Sequence, residues 1–475
     1  MTAAVAAVDL GATSGRVMLG YVGHDELRLV PVARFPNNPV RVIDGLHWNI
    51  LELYRNVVVG LASAVREEPD VRSIAVDSWA VDYALLRGDR MLGNPYHYRD
   101  ARSAAGVDAT HALVGPAELY AANGLQFLPF NTLYQLAAEH LQGGLDQADS
   151  LLLVPDLVNF WLTGARRAEV TNASTTGLLD VHTTAWNDAL IERLELPRDI
   201  LPELISPGST VGTLLPAVAD EIGASRSLAV SAVGSHDTAS AVVAVPATEG
   251  DFAYISSGTW SLVGVELEHP VVSEAARAAG FTNEGGVDGR IRFLQNVSGL
   301  WLLSESVRTW ERGGEQIDLP TLLSAAAAVT APVSVFDAGD PRFIAPGDMP
   351  ARIIEWCTEH GVPAPQTRAE VTRSILESLA DAYARSLEAA ATLSGTSIRA
   401  IHVVGGGSQN ALLCQLTADR TGLPVLAGPS EATAIGNVLV QARAQGIVAG
   451  DSSLEALRAL VARAFPPTRY APASR

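Results

Sequence analysis

The sequence contains no lysine: all 33 of its basic side chains are arginines. A pyridoxal Schiff base and a Schiff-base aldolase both need a lysine amine, so both are excluded. So are the G-x-x-x-x-G-K-[ST] phosphate loop and the strand lysine of protein kinases. If this chain handles ATP, then backbone amides, helix termini, hydroxyls and a metal ion must hold the phosphates. Cysteine is almost as scarce. Cys357 and Cys414 are the only two, too few for a disulfide framework and without zinc-finger spacing, so both read as small core residues of helices. The ten histidines include no H-E-x-x-H and no i, i+4 metal pair. No run of ~18 uninterrupted apolar residues suggests a membrane partner. The opening MTAAVAAVDLGATSGR lacks a basic leader region and runs into a glycine turn, so it reads as a strand and not a signal peptide. Cytoplasm is the expected compartment, where the sequon at Asn172 would be idle.

Acidic residues are in excess. There are 52 of them against 33 basic ones, a formal net charge of -19. That field repels polyanions, so no nucleic-acid partner is expected. A small nucleotide or sugar phosphate still fits, because local dipoles govern so small an anion. With 475 residues, 48% of them hydrophobic and 18% charged, the chain should form a compact protein of two or three domains.

Residues 4–10 and 14–21 read as two strands joined by a glycine-bearing turn. Further strand patterns lie at 72–77, 81–86 and 228–234, with a helical pattern at 49–66. From about 100 to 200 the periodicity is mostly helical. Then the opening recurs. AYISSGTWSLVGV, beginning at Ala253, sets Gly258 on Gly11 and Ser261 on Ser14. Helical patterns follow near 299–313, 318–328 and 366–393, then a strand at 400–404, a triple glycine, and helices from about 409, 431 and 453. A repeat offset by half the chain suggests two related α/β domains facing a cleft, 1–245 and 251–465. Pro246 to Gly250 would be the hinge.

Four segments carry chemistry. In Asp9 to Arg16, glycines let backbone approach an anion, and the hydroxyls of Thr13 and Ser14 can donate to phosphate. Asp9, at a strand end, is placed to hold magnesium through water; the alternative is a plain tight hairpin. Ser256 to Ser261 has the same chemistry without the aspartate. Two such hairpins could clamp a triphosphate without lysine. Gly234 to Ala241 follows a strand and opens a helix. Asp237 in the first helical turn is favoured in its ionised form and can accept a proton from a hydroxyl; otherwise it only caps the helix. Val403 to Asn410 leaves three glycines between strand and helix, open to a flat or anionic ligand such as adenosine. It is not G-x-G-x-x-G, which argues against a dinucleotide dehydrogenase.

In this order the motifs resemble the FGGY carbohydrate kinases. The resemblance rests on AVDLGATSGRVML, LGNPYHYRD, LQFLPFNTLYQL, TNASTTGLLD, GSHDTASAV, AYISSGTWSLVG, FTNEGGVDGRIRFLQN, HVVGGGSQNALLCQLTAD and GPSEATAIGN, which together span nearly the whole chain. It implies two actin-like (ribonuclease H-like) ATPase domains flanking a central cleft, the N-terminal one binding sugar and the C-terminal one nucleotide. It also implies transfer of the ATP γ-phosphate, with Mg2+, to O1 of a ketose, L-rhamnulose, for degradation. L-fuculose or xylulose is the alternative acceptor, and a nucleotide-gated binding protein like actin is the non-catalytic one; a helix-initial Asp237 favours chemistry.

Carried over by residue, the resemblance puts Ala12, Thr13, Ser14, Gly15, Arg16, Thr259, Ser304 and Gly405, Gly406 and Gly407 at ATP. It puts Ala80, His236, Thr238 and Asn296 at the sugar, with Asp237 as base. Ala80 and Ser304 depart from the family pattern, which has glycine and glutamine there. Asp82, Tyr98, Arg99 and Asp100 would lie in cleft-facing loops. Trp48 and Phe130 could stack on the sugar or fill the core. Oligomeric state is left open.

Overall fold

The computed structural model describes residues 2–448 and 452–473. They divide into two compact units. The first comprises Met1–Thr248, Glu266–Phe293 and Glu431–Ala464, the second Glu249–Val265, Leu294–Ser430 and Phe465–Arg475. Where the sequence suggests one boundary between 245 and 251, the compact units interleave.

In the first unit, the opening apolar run is a strand buried on both faces, β1 (Ala3–Leu10). Such a strand needs partners on both edges. On one edge it pairs antiparallel with β2 (Ser14–Val22), which pairs with β3 (Leu27–Pro36). On the other it pairs parallel with β4 (Ser73–Ser78). Beyond β4 lie β5 (Thr210–Thr213) and β6 (Ala229–Ser231), giving the order β5-β6-β4-β1-β2-β3. β6 is parallel to β4, and β5 is antiparallel to β6. Helix Ile50–Glu67 packs on this sheet through Leu53, Val57, Leu61 and Ala64, the spacing of one helical face.

Helix Ala432–Ala444 belongs to this unit for a polar reason. Gln441 donates to the Ala6 carbonyl at 3.1 Å and accepts from Ser73 Oγ at 2.6 Å. Asn437 donates to Asp77 Oδ2 at 2.6 Å. All of these side chains are buried, so each would be left unsatisfied without this helix. Gly436 lets it cross the backbone of helix Asp237–Val243 closely.

The second unit repeats the plan. β7 (Phe252–Ser257) forms a hairpin with β8 (Ser261–Leu267) and pairs parallel with β9 (Ala400–Val404). β9 is parallel to β10 (Val425–Ala427), which is antiparallel to β11 (Thr468–Tyr470). The run β8-β7-β9-β10-β11 therefore matches β2-β1-β4-β6-β5 in order and in direction. The repeat legible in two hairpins extends through five strands. The turns differ: Gly11 N–H donates to Ser14 O at 2.9 Å, whereas Gly258 N–H reaches Trp260 O, one residue nearer, at 2.8 Å.

Cys357 and Cys414 lie buried in helices Met349–Glu359 and Ala411–Thr421. Among the described residues, no helix is long and apolar enough to cross a membrane.

Candidate active site

Parallel pairing brings the ends of β1, β4 and β6 to one edge of the first sheet. Asp9 is in register with Asp77. The Ser78 N–H donates to Ser235 O at 2.9 Å, and Ser78 bridges His236. Three carboxylates, Asp9, Asp77 and Asp237, therefore gather at the carboxyl ends of adjacent parallel strands, where open α/β sheets place their ligands.

Their electrostatics show the gathering. Burial pushes the Asp77 carboxyl well above its ordinary range, and the charges of Asp9 and Asp237 add to the rise. Burial also raises Asp9; Arg16 opposes this and Asp237 reinforces it. Arg16 holds Asp9 Oδ2 through Nε at 2.8 Å and Nη2 at 2.7 Å, and its remaining nitrogen pairs with Glu431. Asp77 Oδ1 is buried and has no hydrogen-bond partner. Asp237, the first residue of its helix, keeps about a third of its side chain exposed (31%), the accessibility that a base for an external hydroxyl needs.

His236 and Thr238 flank Asp237 and are buried. Thr238 Oγ1 donates to Asp237 Oδ1 at 3.1 Å. His236 Nε2 lies 3.5 Å from the same oxygen, and its Nδ1 lies 3.0 Å from Arg292 Nη2 and 3.2 Å from Glu284 Oε2. Arg292, fully buried, pairs with Glu284 at 3.1 Å. Burial alone would raise Glu284, but Arg292 and His236 overcome it and hold the carboxyl below its usual value. Sequence reading missed Asp77, Glu284 and Arg292. For Asp77 and Arg292 the signal was a charge in a strand of mostly apolar neighbours; Glu284, in the polar strand Thr282–Gly285, gave none.

The turn Ala12 to Arg16 leaves Thr13 and Ser14 exposed at the end of the β1–β2 hairpin. Ala80 lies in the loop after β4. Trp79 N–H donates to Leu10 O at 3.1 Å, which ties that loop to the end of β1. The next residue, Val81, has φ +68°, a left-handed backbone that a β-branched residue rarely adopts. Asp82 then anchors the loop. It accepts from Trp48 Nε1 at 2.6 Å, Trp79 Nε1 at 3.0 Å, Tyr98 N–H at 3.2 Å and Gln135 Nε2 at 3.0 Å. Burial pushes it up to about 6. Trp48 is fully buried against Trp79 and His97, so it offers no open face for stacking. Phe130 packs on Tyr98. The Arg99 guanidinium lies over the Tyr98 ring at 5.1 Å, while Asp100 accepts from the N–H groups of Leu46 and Arg102.

Within the second unit, Thr259 sits in the β7–β8 turn. Its carbonyl accepts from Trp301 N–H at 3.0 Å, which seats helix Trp301–Arg312 on the turn, with Ser304 exposed on that helix. Gly405, at φ +81°, and Gly407 lie against Ser257. A Cβ on either would meet Ser257 Oγ or O at 2.0 to 2.9 Å, so the glycine loop and the hairpin form one surface only because side chains are missing there. Asn296 is half-buried on strand Ile291–Val297.

Comparison with known proteins accords with this arrangement. Residues 4–244 match the N-terminal domain, and residues 253–445 the C-terminal domain, of the FGGY family of carbohydrate kinases. The rhamnulokinase of Bacteroides thetaiotaomicron is 40% identical over 98% of this chain and 95% of its own. That of Pectobacterium atrosepticum is 43% identical over 98% and 93%. In three dimensions the chain superimposes on ligand-bound xylulose kinase from Lactobacillus acidophilus with TM-score 0.79 at 16% identity, covering 99% of this chain and 94% of that one. It superimposes on Plasmodium falciparum glycerol kinase with ADP with TM-score 0.78 at 15% identity and the same coverage. These two similarities concern fold alone, which is the actin-like ATPase fold of sugar kinases. With both family domains matched in order along its length, the chain belongs to the FGGY family of carbohydrate kinases.

Proposed function

We propose that the chain transfers the γ-phosphoryl group of ATP to O1 of L-rhamnulose. The observation that carries the chemistry is the gathering of Asp9, Asp77 and Asp237 at the ends of three parallel strands, with Asp237 the accessible one. The choice of sugar rests on the near-full-length relatives that are rhamnulokinases.

In this reading Asp237 accepts the O1 proton as the oxygen attacks the γ-phosphorus. His236 and Thr238 orient that carboxylate, and with Ala80 and Asn296 they bind the ketose. ATP is cradled by amides and hydroxyls of the turn Ala12 to Gly15, by Thr259, by the glycines 405–407, and by Ser304 on its helix. The Arg16 guanidinium is committed to Asp9 and Glu431, so Arg16 reaches the nucleotide through its main chain.

A divalent cation, Mg2+ in this reading, would neutralise the phosphates. The residues fit it: Asp9 and Asp77 lie in register, and Asp77 Oδ1 is a buried oxygen without a partner. Among the described residues no group of three or more His, Cys, Asp or Glu side chains could cage a metal. Asp9 would therefore hold the ion through its waters, as magnesium allows.

The test is ADP formation across a panel of ketoses. The expected result is a kcat/KM for L-rhamnulose at least ~30-fold above those for L-fuculose and xylulose, about 2 kcal/mol of discrimination. Equal or reversed preference would overturn the assignment of the sugar while leaving the kinase reading in place.

A further inference from the structure

Asp237 can act only if the turn that precedes it is held in place. That turn, Ser235–His236, is buried and follows the short strand β6. One carboxylate, Glu169, holds it. Glu169 is 1% exposed and lies far from the turn in sequence. Its Oε2 accepts from Ser235 N–H at 2.9 Å and from Ser235 Oγ at 2.7 Å. The same carboxylate caps helix Val170–Ala173, accepting from Thr171 N–H at 2.9 Å and Asn172 N–H at 3.3 Å. It also accepts from Thr171 Oγ1 at 2.5 Å, and that hydroxyl oxygen in turn accepts from His236 N–H at 3.3 Å. Two consecutive amides, those of Ser235 and His236, are thus fixed by Glu169, one directly and one through Thr171.

We propose that Glu169 is a positioning residue for phosphoryl transfer, setting the direction of the Asp237 carboxylate by anchoring the Ser235–His236 turn. The inference rests on the reading of Asp237 as the base. Glu169 itself makes no contact with Asp237 among its hydrogen bonds, so it acts through the turn. An ionised carboxylate suits this place because it only accepts, and five donors converge on it. Glutamine in its stead would turn an NH2 group toward the Thr171 or the Ser235 N–H, neither of which can accept. The turn would then shift by a fraction of an ångström or more. Misplacing a reacting group by ~1 Å costs about 10²-fold in rate. The nucleotide contacts proposed above lie elsewhere, so the loss should fall on kcat and on KM for the ketose, which His236 of the same turn contacts in that reading, and should spare KM for ATP.

The experiment compares Glu169→Gln, Ser235→Ala, the double variant and Asp237→Asn, each in the full-length protein, for kcat, for both KM values and for thermal unfolding. Glu169→Gln is expected to lower kcat about ten- to hundredfold with KM for ATP within about threefold. Ser235→Ala, which removes the hydroxyl bond and keeps the N–H bond, should lower kcat less, and the double variant should be no worse than Glu169→Gln, because both act on the same contact. A folded Glu169→Gln with kcat within about threefold of wild type, or losses that multiply in the double variant, overturns the inference. If Glu169→Gln does not fold, Ser235→Ala carries the test, and an unchanged kcat there is fatal to it. An active Asp237→Asn would instead remove the base assignment itself, so the two failures are distinguishable.

Discussion

Replacing Gly436 by alanine should disable the enzyme while leaving it folded. Gly436 stands where helix Ala432–Ala444 crosses helix Asp237–Val243. A Cβ there would lie 1.8 Å from the Ser240 carbonyl oxygen, 2.6 Å from its carbon and 3.1 Å from Ser240 Cα. These are backbone atoms, so no rotamer change gives relief. Opening the contact from 1.8 Å to the ordinary 3.4 Å parts the two helices by about 1.6 Å. Alanine favours a helix by about 1 kcal/mol over glycine. Overpacking of a close contact costs about 1–3 kcal/mol. The net loss of stability is therefore small, about 0–2 kcal/mol. The rate suffers more, because the displaced helix begins at Asp237, the proposed base, and a shift of ~1 Å at a reacting group costs about 10²-fold. A coupled assay of ADP formation at saturating ATP and ketose should show kcat reduced about a hundredfold, and calorimetry a midpoint lowered by only a few degrees. Gly93→Ala is the control, since a Cβ there meets nothing within 4 Å. A Gly436→Ala enzyme with kcat within about threefold of wild type would refute the reasoning.

Four further outcomes can be checked. Asp237→Asn should lower kcat by about 10²–10⁴ with ketose and ATP binding retained by calorimetry, and near-normal turnover would show that another group is the base. Asp82, raised to about 6 by burial from 3.8, binds its proton more tightly folded than unfolded. Its stabilising contribution is therefore full below about pH 3.8 and withdrawn as pH rises through about 6, a swing of about 3 kcal/mol. Asp82→Asn should flatten the stability curve over that window, and parallel curves would exclude Asp82 as its source. Glu284→Gln leaves the Arg292 charge buried without its partner and should cost about 3–5 kcal/mol in urea unfolding; a loss under about 1 kcal/mol would mean that the pair contributes nothing. Gly299→Ala would bring a Cβ within 2.5 to 2.7 Å of the backbone of Thr259 to Ser261, at φ +51°. It should raise KM for ATP more than KM for the ketose, and equal shifts would detach this turn from the nucleotide.

The elements that carry local signals were legible. β1 and β2 announced themselves by buried apolar runs around Gly11, and β9 at 400–404 appears with the bounds its apolar run suggested. Asp9 and Asp237 stood out because each ends a strand or starts a helix, positions readable from neighbours in sequence. Asp77 did not, because RSIAVD reads simply as a strand. Only the parallel register with β1 sets Asp77 beside Asp9. The same holds for Glu169 and Ser235, and for Glu284 with Arg292 and His236. These pairs are made by tertiary packing, and no single-sequence periodicity encodes a contact across so many residues. The helical reading of 431–445 was close to Ala432–Ala444. Its assignment to a C-terminal domain followed from chain order, whereas Asn437 and Gln441 commit it to the sheet of the first unit.

That commitment has a consequence for the order in which the protein can mature during synthesis. Among the described residues, Asp77 and Ser73 find their buried side-chain partners in Asn437 and Gln441, which a ribosome adds 360 and 368 residues later. Until then the first sheet lacks one face of its covering and its acidic cluster lacks the amide that tethers it. The sheet of the first unit therefore reaches its final form only once a helix more than 350 residues further along the chain has been made.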